Sequence, residues 1–329
     1  MADLKTTYLG LELKNPLVVS SSPITNSPEG VGKLEEAGAA AVVVKSIFEE
    51  QIQNDIGSMY DVLEGDTSGV AMAYLQADLP GRMGPEKYLK NIKAMRERVD
   101  IPIISSVNCV KSSAWVAYAR KIEDAGADAL ELNLYQMPVD ARKSSNEIEN
   151  EHAEMVQAVN NSVKLPVTVK LSRHYTALFH FVRNLDQAGT KGVVLFNRFL
   201  HADINLDDES VFYAPNYSTA AVFPSQLRWA AVLRDWVKCD IAISGGIHSG
   251  LEMAKALLVG ANVGYVCSAI LKNNDLGVIH EILDDLESWM ESKGYADIAS
   301  FRGKLRETEL HDGHGFERAQ YIKAATQLD

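Results

Sequence analysis

Short apolar runs rich in Val, Ile and Leu alternate along the chain with longer segments whose apolar positions recur every three or four residues. Runs of the first kind mark buried β-strands, and segments of the second kind mark helices with one face turned to a core. Strands are predicted over Pro16–Ser21, Ala40–Ser46, Pro102–Asn108, Ala129–Tyr135, Pro166–Ser172, Gly192–Asn197, Asp240–Gly245 and Val263–Ala269. Helices are predicted over Glu29–Ala37, Pro85–Val99, Ala114–Ala125, Glu147–Val163, Ala177–Ala188, Gln226–Val237 and Gly250–Leu258. Ahead of them, Thr6 to Lys14 alternates apolar residues around a central glycine, as in a small hairpin. After Lys272 the pattern reads as helix through Gly294, then Ile298 to Leu305 and a polar end, a tail expected to pack outside the core.

Such alternation predicts an α/β fold, a (β/α)8 TIM barrel with an N-terminal hairpin across its bottom and long βα loops. A chain of 329 residues suits one domain over residues 1–329, since a barrel needs about 250 residues before insertions. Two insertions exceed a simple connector, Ile47 to Met83 after the second strand and Arg198 to Ser225 after the sixth, and a shorter polar one, Gln136 to Glu147, follows the fourth. All three follow strands, which assigns them to the end where barrel enzymes keep their active sites.

The strands also end in an informative way. A strand buried on both faces reads as continuous Val, Ile and Leu, so a Lys or Asn at its carboxyl end stands where the core stops and a ligand begins. Lys45 and Lys170 close the second and fifth strands, and Asn108, Asn133 and Asn197 close the third, fourth and sixth. The lysines would be costly to bury unless they face an electron-rich ligand, and the amides offer both donors and acceptors to a planar polar one. Ser244-Gly245-Gly246-Ile247 and Cys267-Ser268-Ala269-Ile270 close the last two strands, where barrels place a phosphate site on bare backbone N–H groups. The lysines suit a flavin, whose N1 and O2 edge becomes anionic on reduction.

Charge narrows the partners further. A net charge of −12 and a pI of about 5.2 disfavour nucleic acid and anionic membranes. The longest apolar stretch, Ala256 to Leu271, is broken by Gly260, Asn262 and Gly264 and falls short of a bilayer span, so no membrane partner is expected. No secretion signal opens the chain, and Cys109, Cys239 and Cys267 share no metal or disulfide spacing, so the expected home is the cytoplasm. His311-Asp312-Gly313-His314 lacks a third ligand nearby and reads as a solvated tail, so no metal is expected.

Several motifs together resemble the dihydroorotate dehydrogenase family. They are Lys14 to Pro23, Val43 to Ser46, Glu131 to Leu134, Val169 to Leu171, Ile243 to Ile247, the Cys267 to Ile270 turn, and the late stretch Lys293 to Leu305, in the family's order. The resemblance implies an FMN-dependent barrel of the soluble branch, in which dihydroorotate gives hydride to the flavin while a base on the loop after strand four takes a proton. It implies that Ser20, Ser21, Lys45, Ser46, Lys170, Gly245, Gly246, Cys267 and Ser268 contact FMN. Asn133 and Asn197 would lie near flavin and substrate, and Asn108 joins the cofactor side as a strand-end amide. A homodimer and a soluble electron acceptor are implied as well.

The substrate half of the pattern departs from the family. The soluble branch continues its strand-four motif Asn-Leu-Ser-Cys-Pro-Asn with the cysteine as base, and here the chain reads Asn133-Leu134-Tyr135-Gln136-Met137-Pro138. Lys170, Tyr135 and Gln136 become the catalytic candidates, although a phenol near pKa 10 needs a large shift to act as base. His174 is an alternative proton acceptor, because imidazole needs none. The family's substrate-holding Asn has no equivalent in Met72 to Asp78, and Arg198-Phe199 follows Asn197, so Arg198 joins Asn133 and Asn197 as a candidate for an anionic substrate. Two other readings stay open: a flavin-binding sensor or partner subunit without turnover, and a phosphate-sugar lyase or isomerase using Lys170 as a Schiff base.

Overall fold

The computed structural model of the chain describes residues 2–48, 84–109, 113–134, 137–198, 202–213, 217–306, 316 and 326. It opens with an antiparallel hairpin, β1 (Thr6–Tyr8) and β2 (Leu11–Leu13). Leu9 and Gly10 turn it at φ 56 and 77, the paired positive dihedrals that a two-residue turn between twisted strands requires.

Eight parallel strands then close a barrel: β3 (Leu17–Val19), β4 (Ala41–Val43), β6 (Ile103–Cys109), β7 (Ala129–Leu134), β8 (Val167–Leu171), β9 (Gly192–Leu195), β12 (Asp240–Ser244) and β13 (Val263–Val266). Each pairs with the next, and β13 returns to β3 to seal the cylinder. A two-residue strand, β5 (Ile47–Phe48), extends the sheet along β6, and β10 (Ala202–Asn205) and β11 (Ser210–Tyr213) form a separate surface ribbon. The described helices are α1 (Pro28–Glu36), α2 (Pro85–Arg96), α3 (Ser113–Asp124), α4 (Ser145–Asn160), α5 (Leu178–Gln187), α6 (Phe223–Leu233), α7 (Gly250–Leu258), α8 (Ser268–Asn273) and α9 (Gly277–Lys293). The architecture is the (β/α)8 barrel expected.

The pleat sorts the strand residues into two cores, because successive side chains point to opposite faces. Leu17, Val19, Leu130, Leu132, Val167 and Val169 face outward against helix residues such as Leu34, Ile92, Val156 and Phe181. Val18, Val43, Ile104, Ala129, Val194, Ala242 and Val263 face inward and meet Tyr8, Leu9 and Leu13 of the hairpin, which plugs the bottom. Each fully buried Val, Leu or Ile is worth roughly 1.5–3 kcal/mol over exposure, which makes the double-sided burial of these strands the main source of stability. Leu9 N–H donates to Asp240 Oδ2 at 2.7 Å and Asn262 Nδ2 to Asp240 Oδ1 at 2.7 Å, so the plug is also tied by polar contacts.

Helix starts follow capping chemistry. Ser144 and Glu147 form a capping box on α4, and Ser249 and Glu252 form another on α7. Three expectations change. The strand foreseen to Ala269 ends at Val266, because Cys267 leaves extended geometry and Ser268 begins α8. The single helix foreseen after Lys272 is two, α8 and α9, broken at Asn274 in the left-handed conformation. The long connection from Arg198 contains the β10–β11 ribbon, which lies on the surface with Ile204 and Val211 exposed. The tail packs outside the barrel as foreseen: Ile298 and Phe301 are buried, and Gly303 and Leu305 donate N–H to Leu257 and Leu258 carbonyls.

Candidate functional site

The inward residues rise through the barrel in register rows across β6, β7 and β8. Ile104 pairs with Ala129 near the bottom, Ser106 with Glu131 and Glu131 with Thr168 in the middle, and Asn108 with Asn133 and Asn133 with Lys170 at the top. Two-residue periodicity alone puts Asn108, Asn133 and Lys170 in one row at the mouth.

Lys170 is 7% exposed, and its Nζ donates to Ser20 Oγ on the far side of the mouth at 3.2 Å. It also stands 5.9 Å from the centre of the Tyr265 ring, which forms the floor. Above it opens a cavity of about 340 Å3 lined by Ser20, Ser21, Lys170, Asn197, Arg198, Ser244, Gly245, Gly246, Cys267 and Ser268, with Phe196, Tyr217, Ser218, Ile247, Tyr265 and Leu271. Nine of the expected site residues thus come together there. Asn133 and Asn108 are buried beside it, and Asn197 Nδ2 donates to Asn133 Oδ1 at 3.0 Å, joining strands β7 and β9 at the rim. Asn197 Oδ1 accepts the Arg198 N–H at 2.9 Å, while the Arg198 residue itself is exposed.

Ser46 binds Ser21 through N–H to Oγ at 2.9 Å and meets Ser106 Oγ at 2.8 Å. Lys45 is exposed and is not part of the cavity wall. His174 lines a different cavity, between α4 and the segment after β8. Tyr135 and Gln136 lie outside the described residues, as do Met72 to Asp78 and His311 to His314.

Gly245 and Gly246 both have positive φ, 90 and 86. A side chain on Gly246 would strike Phe223 Cβ at 2.7 Å, whereas one on Gly245 would meet nothing closer than 3.4 Å. Glycine at 246 therefore serves close packing on α6 as well as backbone shape. Its N–H is not bare, for it donates to Ser218 Oγ at 3.1 Å, and Ser218 N–H in turn donates to Ser268 Oγ at 2.9 Å. Ser218, from the long connection before α6, is a site residue that motif reasoning missed.

Beneath the mouth the middle row is polar and closed. Glu131 is fully buried, accepts a hydrogen bond from Ser106 Oγ at 3.2 Å, and lies near Tyr265. Burial pushes its carboxyl up, and the nearby Lys170 charge opposes that shift. Tyr265 meets Tyr8 hydroxyl to hydroxyl at 3.2 Å, Tyr8 meets Thr168 at 3.2 Å, and burial drives both phenols above their ordinary range. Burial likewise raises the Cys267 thiol, so it stands at the mouth as a neutral group rather than a thiolate. Glu131 was legible as an acid inside an otherwise apolar strand, but Tyr8 and Tyr265 come from opposite ends of the chain and carry no shared motif.

A closed parallel barrel whose strand ends hold a buried lysine, an amide pair and hydroxyl groups defines a barrel enzyme with its ligand site at the C-terminal face. Comparison with known proteins gives that class a family. Residues 3–290 match the family described as dihydroorotate dehydrogenase, and the chain belongs to it. The NAD-dependent dihydropyrimidine dehydrogenase subunit PreA of Escherichia coli is 23% identical over 99% of this chain and 82% of its own. The catalytic subunit of dihydroorotate dehydrogenase B (NAD+) from Thermoplasma volcanium is 25% identical over 92% of this chain and 98% of its own. Dihydroorotate dehydrogenase A (fumarate) from Lactobacillus helveticus is 25% identical over 93% and 99%. The chain is an oxidoreductase of this family. Among the described residues, no helix is long and apolar enough to cross a membrane.

Proposed function

We propose that the chain is an FMN-dependent dehydrogenase acting on a CH–CH bond of a small, planar, anionic ring of the dihydropyrimidine class. The observation that carries the reading is Lys170, held nearly dry at the barrel mouth with its Nζ donating to Ser20 Oγ. A buried ammonium with one hydroxyl partner among the described residues suits an electron-rich ligand edge at the mouth.

The residues present fit the group. Lys170, Ser20, Ser21, Ser244 and Asn197 supply polar contacts, while Phe196, Ile247 and Leu271 supply apolar wall. In this reading Ser20, Ser21, Ser46, Asn108, Asn133, Lys170 and Asn197 hold the ring system and its chain, Gly245, Gly246, Cys267 and Ser268 hold the phosphate end, and the exposed Lys45, foreseen as a cofactor contact, stands outside the cavity wall. When bound, FMN supplies the hydride-accepting chemistry. Asn133 and Asn197 orient the substrate and Arg198 meets its negative charge. Lys170 acts from the cofactor side, and Tyr135 and Gln136 follow Leu134 in the stretch of sequence where the family's motif carries its base.

The departure at that base position bears on the substrate. Dihydroorotate oxidation needs a proton acceptor, and neither Gln136 nor Met137 titrates. The relatives named for dihydroorotate and for dihydropyrimidine share the ring but not its substituent, so both are tested. Purified protein should be yellow, and anaerobic addition of dihydroorotate, or of dihydrouracil, should bleach the flavin. A colourless protein that takes up no added FMN would end the proposal. Yellow flavin that neither compound reduces would favour the second reading, a flavin-binding subunit without turnover, to which the missing cysteine points.

We further infer a cytoplasmic homodimer that passes electrons to a soluble acceptor. The exposed Ile204, Leu206 and Val211 on the β10–β11 ribbon support association of copies. Sedimentation of a monomer at micromolar concentration would count against it.

A further inference from the structure

A line of hydroxyl groups leads from the cofactor cavity into the closed floor of the barrel. Ser21, in the cavity wall, has its Oγ 3.2 Å from Ser46 Oγ, Ser46 Oγ is 2.8 Å from Ser106 Oγ, and Ser106 Oγ donates to Glu131 Oε1 at 3.2 Å. Ser106 and Glu131 are fully buried and paired in register on β6 and β7. We propose that these residues form a proton wire, with Ser21 as its mouth and the Glu131 carboxylate as its terminal acceptor, and that the wire serves in place of the base missing after strand four. The inference rests on the oxidation proposed above, which releases a proton in the cavity.

A carboxyl group inside a dry barrel is costly, and an apolar residue of similar size would ordinarily be more favourable there. Glu131 has a hydroxyl donor on Oε1, while Oε2 is buried without a hydrogen-bond partner among the described residues. A catalytic role is one of the few reasons for a native interior to retain such an orphan. Burial pushes the Glu131 carboxyl up and the Lys170 charge on β8 opposes that shift, which moves the group toward the range where it can take and return a proton. The other ionisable groups around it are the phenols of Tyr265 on β13, Tyr8 on β1 and Tyr88 on α2. Burial drives all three above their ordinary range, so they stay neutral while Glu131 titrates.

Hydrogen-bond chemistry gives the wire its direction. An ionised carboxylate only accepts, so Ser106 donates to Glu131, accepts in turn from Ser46, and Ser46 accepts from Ser21. Ser46 N–H donates to Ser21 Oγ at 2.9 Å, which occupies a lone pair there and leaves the Ser21 hydrogen for Ser46 Oγ. The Tyr88 hydroxyl accepts the Ser106 N–H at 3.0 Å and donates to the Ser106 carbonyl at 3.0 Å, so the inner link is held in place. When the CH–CH bond is oxidised, the hydride goes to the cofactor and the remaining proton passes to Ser21 Oγ. Ser21, Ser46 and Ser106 each hand on their own proton, and Glu131 gains one O–H bond. Every serine ends as a neutral hydroxyl, so one proton leaves the substrate and one arrives on the carboxylate.

The test follows the carboxyl itself by infrared difference spectroscopy of the full chain as purified. A protonated-carboxyl C=O band should titrate with pH and be lost in Glu131→Gln. After transfer to D2O the isotope shift of that band should develop about tenfold or more slowly in Ser46→Ala than in the wild type, and Ser46→Thr, which restores a hydroxyl, should exchange close to the wild-type rate. Absence of a band belonging to Glu131, or equal exchange in Ser46→Ala and the wild type, would overturn the wire.

In turnover, flavin reduction by whichever of dihydroorotate and dihydrouracil bleaches it should speed up as pH rises through the Glu131 titration. Glu131→Gln and Ser46→Ala should each lower the rate about 10²-fold or more and flatten that rise, with Ser46→Thr recovering most of it. A full rate in Ser46→Ala would overturn the wire equally. Should Glu131→Gln fail to fold, the Ser46 pair, Ala against Thr, decides both measurements without it. Proton exchange of the carboxyl is read without substrate, so failure of the wire shows there, whereas failure of the flavin reading shows as a colourless protein.

Discussion

The same three strands, β6, β7 and β8, carry two polar rows that behave oppositely. In the lower row Ser106, Glu131 and Thr168 are buried: Ser106 meets Ser46 and Glu131, Thr168 meets Tyr8, and one Glu131 oxygen stays buried without a hydrogen-bond partner among the described residues. In the upper row Asn108, Asn133 and Lys170 sit two residues further along, where Lys170 lines the cavity and Asn133 is bonded to Asn197 in its wall. Residue type does not distinguish the rows, since both mix charged and neutral polar groups. What distinguishes them is height: the lower row lies beneath the mouth and the upper row at it, so polar residues inside this barrel divide into a floor that shapes the site and a rim that borders the cavity.

The sharpest way to break this comparison is at the rim. Lys170→Met should leave the barrel folded while lowering the rate of flavin reduction about 10²–10³-fold, the loss typical of a preorganised electrostatic group, as measured by stopped-flow bleaching. Retained bleaching would place Lys170 with the floor. Gly246→Ala comes next, because the left-handed backbone and the 2.7 Å approach to Phe223 Cβ both resist a methyl group. It should destabilise by about 2–4 kcal/mol in denaturant unfolding, the sum of a positive-φ penalty and overpacking.

Glu131→Gln tests the floor through pH. Burial raises the Glu131 carboxyl, so the folded chain holds this proton where the unfolded chain has released it. Its contribution to stability is complete below the unfolded value, about 4.3, and is lost as pH rises through the folded one. The variant should flatten that fall over the same window, with flavin binding unchanged. The smallest effect is expected for Tyr265→Phe, which removes the hydroxyl bond to Tyr8 and should cost about 1 kcal/mol of stability while leaving flavin affinity within twofold. A tenfold weaker flavin in that variant would show that floor and rim are one unit.

Much of this was legible before any coordinates. Lys170, Asn133 and Asn197 stood out because a polar residue at the end of an apolar run has few structural reasons to be there, and the fold brings Lys170 and Asn197 to one cavity with Asn133 bonded to Asn197. Gly245 and Gly246 were legible because they close the seventh strand, where barrels bind phosphate on backbone N–H groups, and both lie in that wall. Ser218 was not, because it arrives from a long connection whose path no periodicity encodes.

By itself the sequence determined the alternation of strands and helices, the closing of eight strands into a barrel, and the end at which chemistry collects. These follow from period-two and period-three-to-four patterns, which are local and read directly along the chain. The tertiary structure alone decided that Tyr8 and Tyr265 meet beneath Lys170, that Ser218 takes the Gly246 N–H, and that Lys45 stays at the surface. Each depends on contacts between residues far apart in the chain, and such contacts exist only once the cylinder has closed.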